Sequence, residues 1–79
     1  MNEQFKAILT KIKPEIFDDM EADLVEEGII DSLDVMNIVA ECERVFNVDF
    51  DPEDVNPINF ANPEAIWMLI EKYKAEQGE

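Results

Sequence analysis

Two apolar stripes of helical period bracket this chain and leave it little choice of fold. Phe5, Ile8, Leu9 and Ile12 recur at i, i+3, i+4 and i+7, and Ile66, Leu69, Ile70 and Tyr73 repeat the same spacing near the other end. That spacing places four apolar side chains on one face of a helix, and such a face is stable only against another element. No segment shows the strict alternation of a half-buried strand. Helix packed on helix is therefore the expected architecture.

Proline and small polar residues set the ends of these elements. Pro14 pushes Lys13 out of the helical region, which bounds the first helix at about residues 3–13. A long connection follows from Glu15 to Asp31, carrying Ile16, Phe17, Met20, Leu24, Val25, Ile29 and Ile30. Floppy loops of that length are unusual in a compact domain, so its apolar residues predict a connection packed across the bundle. Gly28 is expected to take a turn just before Ile29 and Ile30. A second helix is expected from Ser32 to Phe46, stopping at Asn47. At 100° per residue, Val35, Ile38, Val39, Cys42 and Phe46 share its buried face, with Met36 and Val45 at the edges. Leu33, Asp34, Asn37, Ala40, Glu41 and Arg44 fall on the other side, with Glu43 at its margin.

Three Asp/Asn-Pro pairs come next: Asp51-Pro52, Asn56-Pro57 and Asn62-Pro63. Each sets a good N-cap before proline at the first helical position. The first two leave room only for a turn or a short helix, whereas the third opens a helix over about 63–75. Trp67 borders the stripe of that helix and Met68 points away from it. The expected fold is all-α: a four-helix bundle of three longer helices and one short one, with a long first loop. Residues 1–79 are read as one domain, without internal repeat or linker.

Composition narrows what such a bundle can do. The chain has no histidine and a single cysteine, Cys42, so Ser-His and Cys-His catalysis, imidazole zinc ligation and an internal disulfide are all excluded. Cys42 is expected to be a small core residue. Calcium-loop spacing also fails: counting from Asp23 puts Gly28 in the glycine position but Val25 at a ligand position, and counting from Asp49 puts Asp54 where glycine is needed. No metal site is expected. Twenty Asp and Glu against six Lys and Arg give a net charge of −14, which repels nucleic-acid phosphates and anionic lipid and attracts basic surfaces. No apolar run approaches the ~18 residues of a membrane span. The opening segment MNEQFKAILTKIKP lacks the apolar stretch and cleavage site of a signal peptide, so a cytoplasmic location is expected.

The segment Glu27-Gly28-Ile29-Ile30-Asp31-Ser32-Leu33-Asp34 is the one that carries chemistry. Serine and aspartate at a helix start ordinarily cap free backbone N–H groups. Here the Glu or Gln of a capping box is absent, since Asp34 stands three residues after Asp31 and Val35 three after Ser32. Leu33 also lies off the buried face, directly after the serine.

Gly28-Ile29-Ile30-Asp31-Ser32-Leu33-Asp34, with a helix ending Glu43-Arg44-Val45-Phe46, resembles the attachment motif of acyl carrier proteins. The likeness extends along essentially the whole chain, including the long first loop and the last helix opened by Asn62. It implies a protein that is not itself an enzyme and has no catalytic residue. Its cofactor would be 4'-phosphopantetheine, moved from coenzyme A onto Ser32 by a phosphopantetheinyl transferase, with Asp31 and Leu33 as motif neighbours. The arm's thiol would carry acyl groups as thioesters between enzymes. The resemblance further implies a partner face of Leu33, Asp34, Asn37, Ala40, Glu41 and Arg44, meeting acyl-transferring or acyl-activating enzymes through basic surfaces. A monomer that binds neither nucleic acid nor membrane is expected. Asn37 and Arg44 stand where the family commonly has carboxylates, and Ala40 where it has a larger apolar residue. Fatty acid, polyketide, peptide-synthetase and D-alanyl carriers all stay open. From another class, a small acidic interaction module in which Ser32 only caps the helix stays open too.

Overall fold

The computed structural model describes residues 2–19 and 21–77; Met20, placed above in the first connection, lies outside the described residues. Three α-helices form the frame: α1, Glu3–Ile12; α2, Ser32–Phe46; and α3, Pro63–Glu76. Their ends follow local chemistry. The Asn2 side chain accepts from the backbone N–H groups of Gln4 and Phe5 at 2.7 and 3.2 Å, and Asn62 accepts from Ala65 N–H at 2.9 Å, as N-caps do. Helix α1 stops at Lys13, before Pro14, and α2 stops at Asn47 in the left-handed conformation with φ of 55°, a position asparagine tolerates better than most residues.

The stripes read from the sequence meet in one core. Phe5, Ile8 and Leu9 of α1 face Ile38, Cys42 and Phe46 of α2 and Ile66, Leu69, Ile70 and Tyr73 of α3, all buried. The Trp67 ring stands 5.3 Å from Phe5 and 5.4 Å from Phe46, centroid to centroid, so one aromatic contact joins all three helices. Lys13 at the end of α1 lies beside Asp34 at the start of α2, while Phe5 and Phe46 share Trp67 at the other end. Helices α1 and α2 are therefore antiparallel. Val35 and Val39, assigned to the buried face of α2, are only half-buried; the two neighbouring helices close over Ile38 and Cys42 and leave the flanks of the stripe open.

The first connection is packed, as its apolar residues predict. Ile16, Leu24 and Ile30 are buried. Leu24 N–H donates to Ala61 C=O at 2.7 Å and Ile30 N–H to Leu24 C=O at 3.1 Å, which ties this connection to the one before α3. Gly28 turns with φ of +70°, a region open to glycine at no steric cost. Pro14–Phe17 adds a 3-10 turn that the sequence reading missed.

The fourth, short helix reduces to a single 3-10 turn, Pro52–Asp54. Pro57 disfavours helical backbone at Asn56, so the turn cannot propagate. Asn56 instead starts a separate turn, accepting Asn59 N–H on its side chain at 2.9 Å and Phe60 N–H on its carbonyl at 3.1 Å. Tyr73 anchors this stretch: its hydroxyl donates to Asp54 Oδ2 at 2.6 Å and accepts from Asp51 N–H at 3.1 Å. Burial, with the Asp54 bond next, pushes the Tyr73 phenol up to about 12.

Candidate functional site

Ser32 is the first residue of α2, and the cap is its neighbour Asp31. The Asp31 carboxylate accepts from Asp34 N–H at 2.9 Å, and the Asp34 carboxylate accepts from Asp31 N–H at 3.1 Å. A capping box is thus present, contrary to the sequence expectation. Aspartate is one carbon shorter than the usual glutamate, yet it spans the first turn here. The bond from Asp34 N–H holds the Asp31 carboxyl below the ordinary carboxylate range, and the nearby Lys13 cation adds to the effect.

With Asp31 as the cap, the Ser32 hydroxyl is left over. Ser32 is the chain's only serine, and the other hydroxyls belong to Thr10 and Tyr73. Thr10 donates to Lys6 C=O at 2.8 Å, the ordinary back-bond of a helical threonine, and Tyr73 is held by Asp54 and Asp51. Ser32 is exposed, and among the described residues its side chain makes no hydrogen bond. It also stands at the positive end of a 15-residue helix, where a phosphate group is favoured.

An apolar groove of about 570 Å³ opens beside Ser32, lined by Val25, Ile30, Val35, Met36, Val55 and Phe60 among others. Met36 is 67 % exposed. The sequence reading left it at the edge of the buried face and outside the site. Its position four residues after Ser32, hence above it on the same face, was the signal available.

The six residues assigned to the partner face divide in two. Leu33, Asn37, Ala40 and Arg44 are exposed, Leu33 at 66 %. Asp34 and Glu41 are drawn back toward α1. Asp34 lies 3.3 Å from Lys13 Nζ. Glu41 is held by Arg44 at 2.7 Å and Lys11 at 3.1 Å, and those two cations keep its carboxyl below the ordinary range. Glu43 accepts Phe50 N–H at 2.9 Å and so braces the exit from α2. On the first connection, by contrast, Asp18, Asp19, Glu21, Glu26 and Glu27 are exposed, and no Lys or Arg occurs between Pro14 and Asp31. Cys42 is buried between helices, and its thiol is pushed up to about 12 by that burial. No group of three potential metal ligands occurs among the described residues. No helix among them is long and apolar enough to cross a membrane.

The Ser32 hydroxyl thus stands exposed at a helix start, beside an apolar groove and without any acid-base partner. The chain belongs to the phosphopantetheine attachment site family, whose pattern it matches over residues 7–66. It is a carrier protein, and its cofactor is 4'-phosphopantetheine. A curated relative is the D-alanyl carrier protein of Lactococcus lactis subsp. lactis (strain IL1403), 27 % identical over 78 residues, covering 96 % of this chain and 99 % of that protein. No solved structure matches the chain. Carrier proteins of this family work with a phosphopantetheinyl transferase and with acyl-handling enzymes.

Proposed function

We propose that Ser32 is the attachment residue, and that the chain is a discrete, non-catalytic carrier. The observation behind this reading is the contrast among the three hydroxyls: those of Thr10 and Tyr73 are bonded within the fold, while Ser32 is exposed at the start of α2 with its capping role taken by Asp31. When bound, phosphopantetheine supplies a terminal thiol that holds cargo as a thioester. The chain's own residues do the rest. Ser32 presents its hydroxyl as the nucleophile toward the pantetheine-bearing phosphorus of coenzyme A. The transferase supplies the base that takes its proton, the pyrophosphate P–O bond breaks, and adenosine 3',5'-bisphosphate leaves. The first turn of α2 offers its N–H dipoles to the phosphodiester, and the groove walled by Ile30, Val35, Met36 and Phe60 gives an arm an apolar surface to lie on.

The cargo we propose is an aminoacyl group, D-alanine first among candidates. The relative matched over nearly its whole length is a D-alanyl carrier, and the α2 face departs from the acidic pattern common in fatty acid carriers at Asn37 and Arg44. A fatty acid or polyketide acyl group is the second reading, favoured by the groove. We place the protein in the cytoplasm as a monomeric single domain, 1–79, meeting partners with basic surfaces. The −14 charge and the exposed acids of the first connection support those partners. Incubation with coenzyme A, magnesium and a broad-specificity transferase should add one phosphopantetheine by intact mass. The product is then offered D-alanine with a D-alanine-activating ligase, or malonyl-coenzyme A with a malonyl transferase. Loading only with the malonyl group overturns the D-alanyl reading.

A further inference from the structure

Asp34 sits on the outer side of α2, where a carboxylate would meet a basic partner, yet its side chain is only 14 % exposed and is committed inside the chain. Its Oδ2 accepts Asp31 N–H at 3.1 Å and also lies 3.3 Å from Lys13 Nζ, while its backbone N–H donates to Asp31 Oδ1 at 2.9 Å. Lys13 is no loose surface cation. It is the C-cap of α1, its N–H donates to Leu9 C=O at 2.8 Å, and Pro14 follows it directly. A line of contacts therefore runs from the end of α1 through Lys13 and Asp34 to Asp31, the residue bonded to Ser32.

We infer that Lys13 and Asp34 form a latch that positions Ser32 for modification, and that Asp34 serves the attachment reaction through Asp31 rather than by docking a partner. The inference rests on Ser32 being the attachment residue. The turn that carries Ser32 follows a long connection, within which Gly28 N–H donates to Val25 C=O and Ile30 N–H to Leu24 C=O, both at 3.1 Å. Without the latch, the first turn of α2 keeps its hydrogen bonds but loses its fixed placement against α1. A nucleophile so loosened reaches the reactive geometry less often, which lowers the rate of the chemical step and leaves encounter unchanged.

Two mild substitutions distinguish the latch from a docking acid because the two roles predict opposite signs. Lys13→Met removes the cation and leaves the Asp34 carboxylate free. Asp34→Asn keeps an oxygen for Asp31 N–H but removes the charge. Steady-state kinetics of phosphopantetheine transfer from coenzyme A are measured on wild type, both variants, their double and Asp34→Glu, with melting curves for each. A latch predicts that each single substitution lowers kcat by up to about fivefold, the range a partly exposed ion pair can supply. KM for the carrier should stay within about twofold, and the double should be no worse than the worse single, as two partners of one interaction require. Asp34→Glu, which keeps both charge and capping box, should restore most of the rate. A docking acid predicts instead that Lys13→Met lowers KM while Asp34→Asn raises it; that result overturns the inference. So do strictly additive losses, or lower melting temperatures at unchanged kcat. Failure of wild type to accept any phosphopantetheine defeats the reading of Ser32 itself, and the two failures are thus told apart.

Discussion

The two sides of α2 are held by different forces, and the difference shows how one helix can be fixed within the core and still expose apolar side chains next to Ser32. Its inner side is fixed by volume: Ile38, Cys42 and Phe46 fill space among α1, α3 and Trp67, and nothing there is polar enough to need water. Its outer side divides again. The edge toward α1 is ionic, with Lys13 on Asp34 and Lys11 on Glu41, whereas the edge toward Ser32 exposes Leu33 and Met36. The carboxylates of α2 are thus largely engaged with the protein's own cations. The apolar side chains beside Ser32 and the acids of the first connection remain exposed to solvent.

The largest effect that would break this comparison is on the inner side. Phe46→Ala removes a ring that packs edge-on to Trp67 and lies under Lys74. It should cost about 3–5 kcal/mol by denaturant unfolding, as buried aromatic truncations do, a large share of what a domain this small has. A loss under about 1 kcal/mol would mean that Phe46 is not central to the core.

Acid should act next, through the caps and ion pairs of the outer side. Asp31 and Glu41 both have carboxyls held below their ordinary range. Their stabilising contribution is therefore complete above the unfolded-state values, about 4 for each type, and is lost as pH falls through the lower folded-state values. The −14 charge works the other way, because protonating crowded carboxylates relieves repulsion. Melting temperature should first rise on mild acidification, or on adding salt at neutral pH, and then fall once Asp31 and Glu41 titrate. A monotonic rise down to pH 2 would show that the caps and pairs contribute nothing.

Glu41→Lys sharpens the ionic edge. Read from the helical wheel alone, position 41 is a free surface site whose substitution leaves folding untouched. With Lys11 and Arg44 both on the carboxylate, the change sets a third cation against two and should destabilise the fold, by an amount that shrinks as salt rises. Chemical denaturation at low and high salt measures it. Unchanged stability at low salt would return Glu41 to the partner face.

Leu33→Ala and Met36→Ala are the smallest perturbations of folding, within about ±0.5 kcal/mol, as exposed positions usually are. Their effect should appear in KM for the transferase and loading enzymes. Native Cys42, one turn from Ile38 on the inner side, should resist alkylation at pH 8, because its thiol is buried and pushed up to about 12.

Much of this was legible in the sequence because it is local. Helix period, the Asn-Pro and Asp-Pro starts, Pro14 as a stop and Ser32 at the head of α2 all depend on residues within four positions of one another. What escaped was set at a distance. Asp34 looked free because its cation, Lys13, lies beyond the end of α1, and Glu41 because Lys11 lies on α1, although its other cation, Arg44, is only three residues away on α2. Val39 looked central because a helical wheel cannot show how far two neighbours close over a stripe. The groove beside Ser32 is built from the first connection, α2 and the stretch before α3, and no single segment announces it. The fourth helix was overestimated for a local reason, the reach of Pro57 onto Asn56.

The central claim is that Ser32 is the one hydroxyl free to carry the arm. Fragmentation mass spectrometry of protein incubated with coenzyme A, magnesium and a broad-specificity transferase should place one phosphopantetheine on Ser32. The Ser32→Ala variant should keep its helical spectrum and its unmodified mass. Phosphopantetheine on Thr10 or Tyr73, or a modified Ser32→Ala protein, would contradict the account.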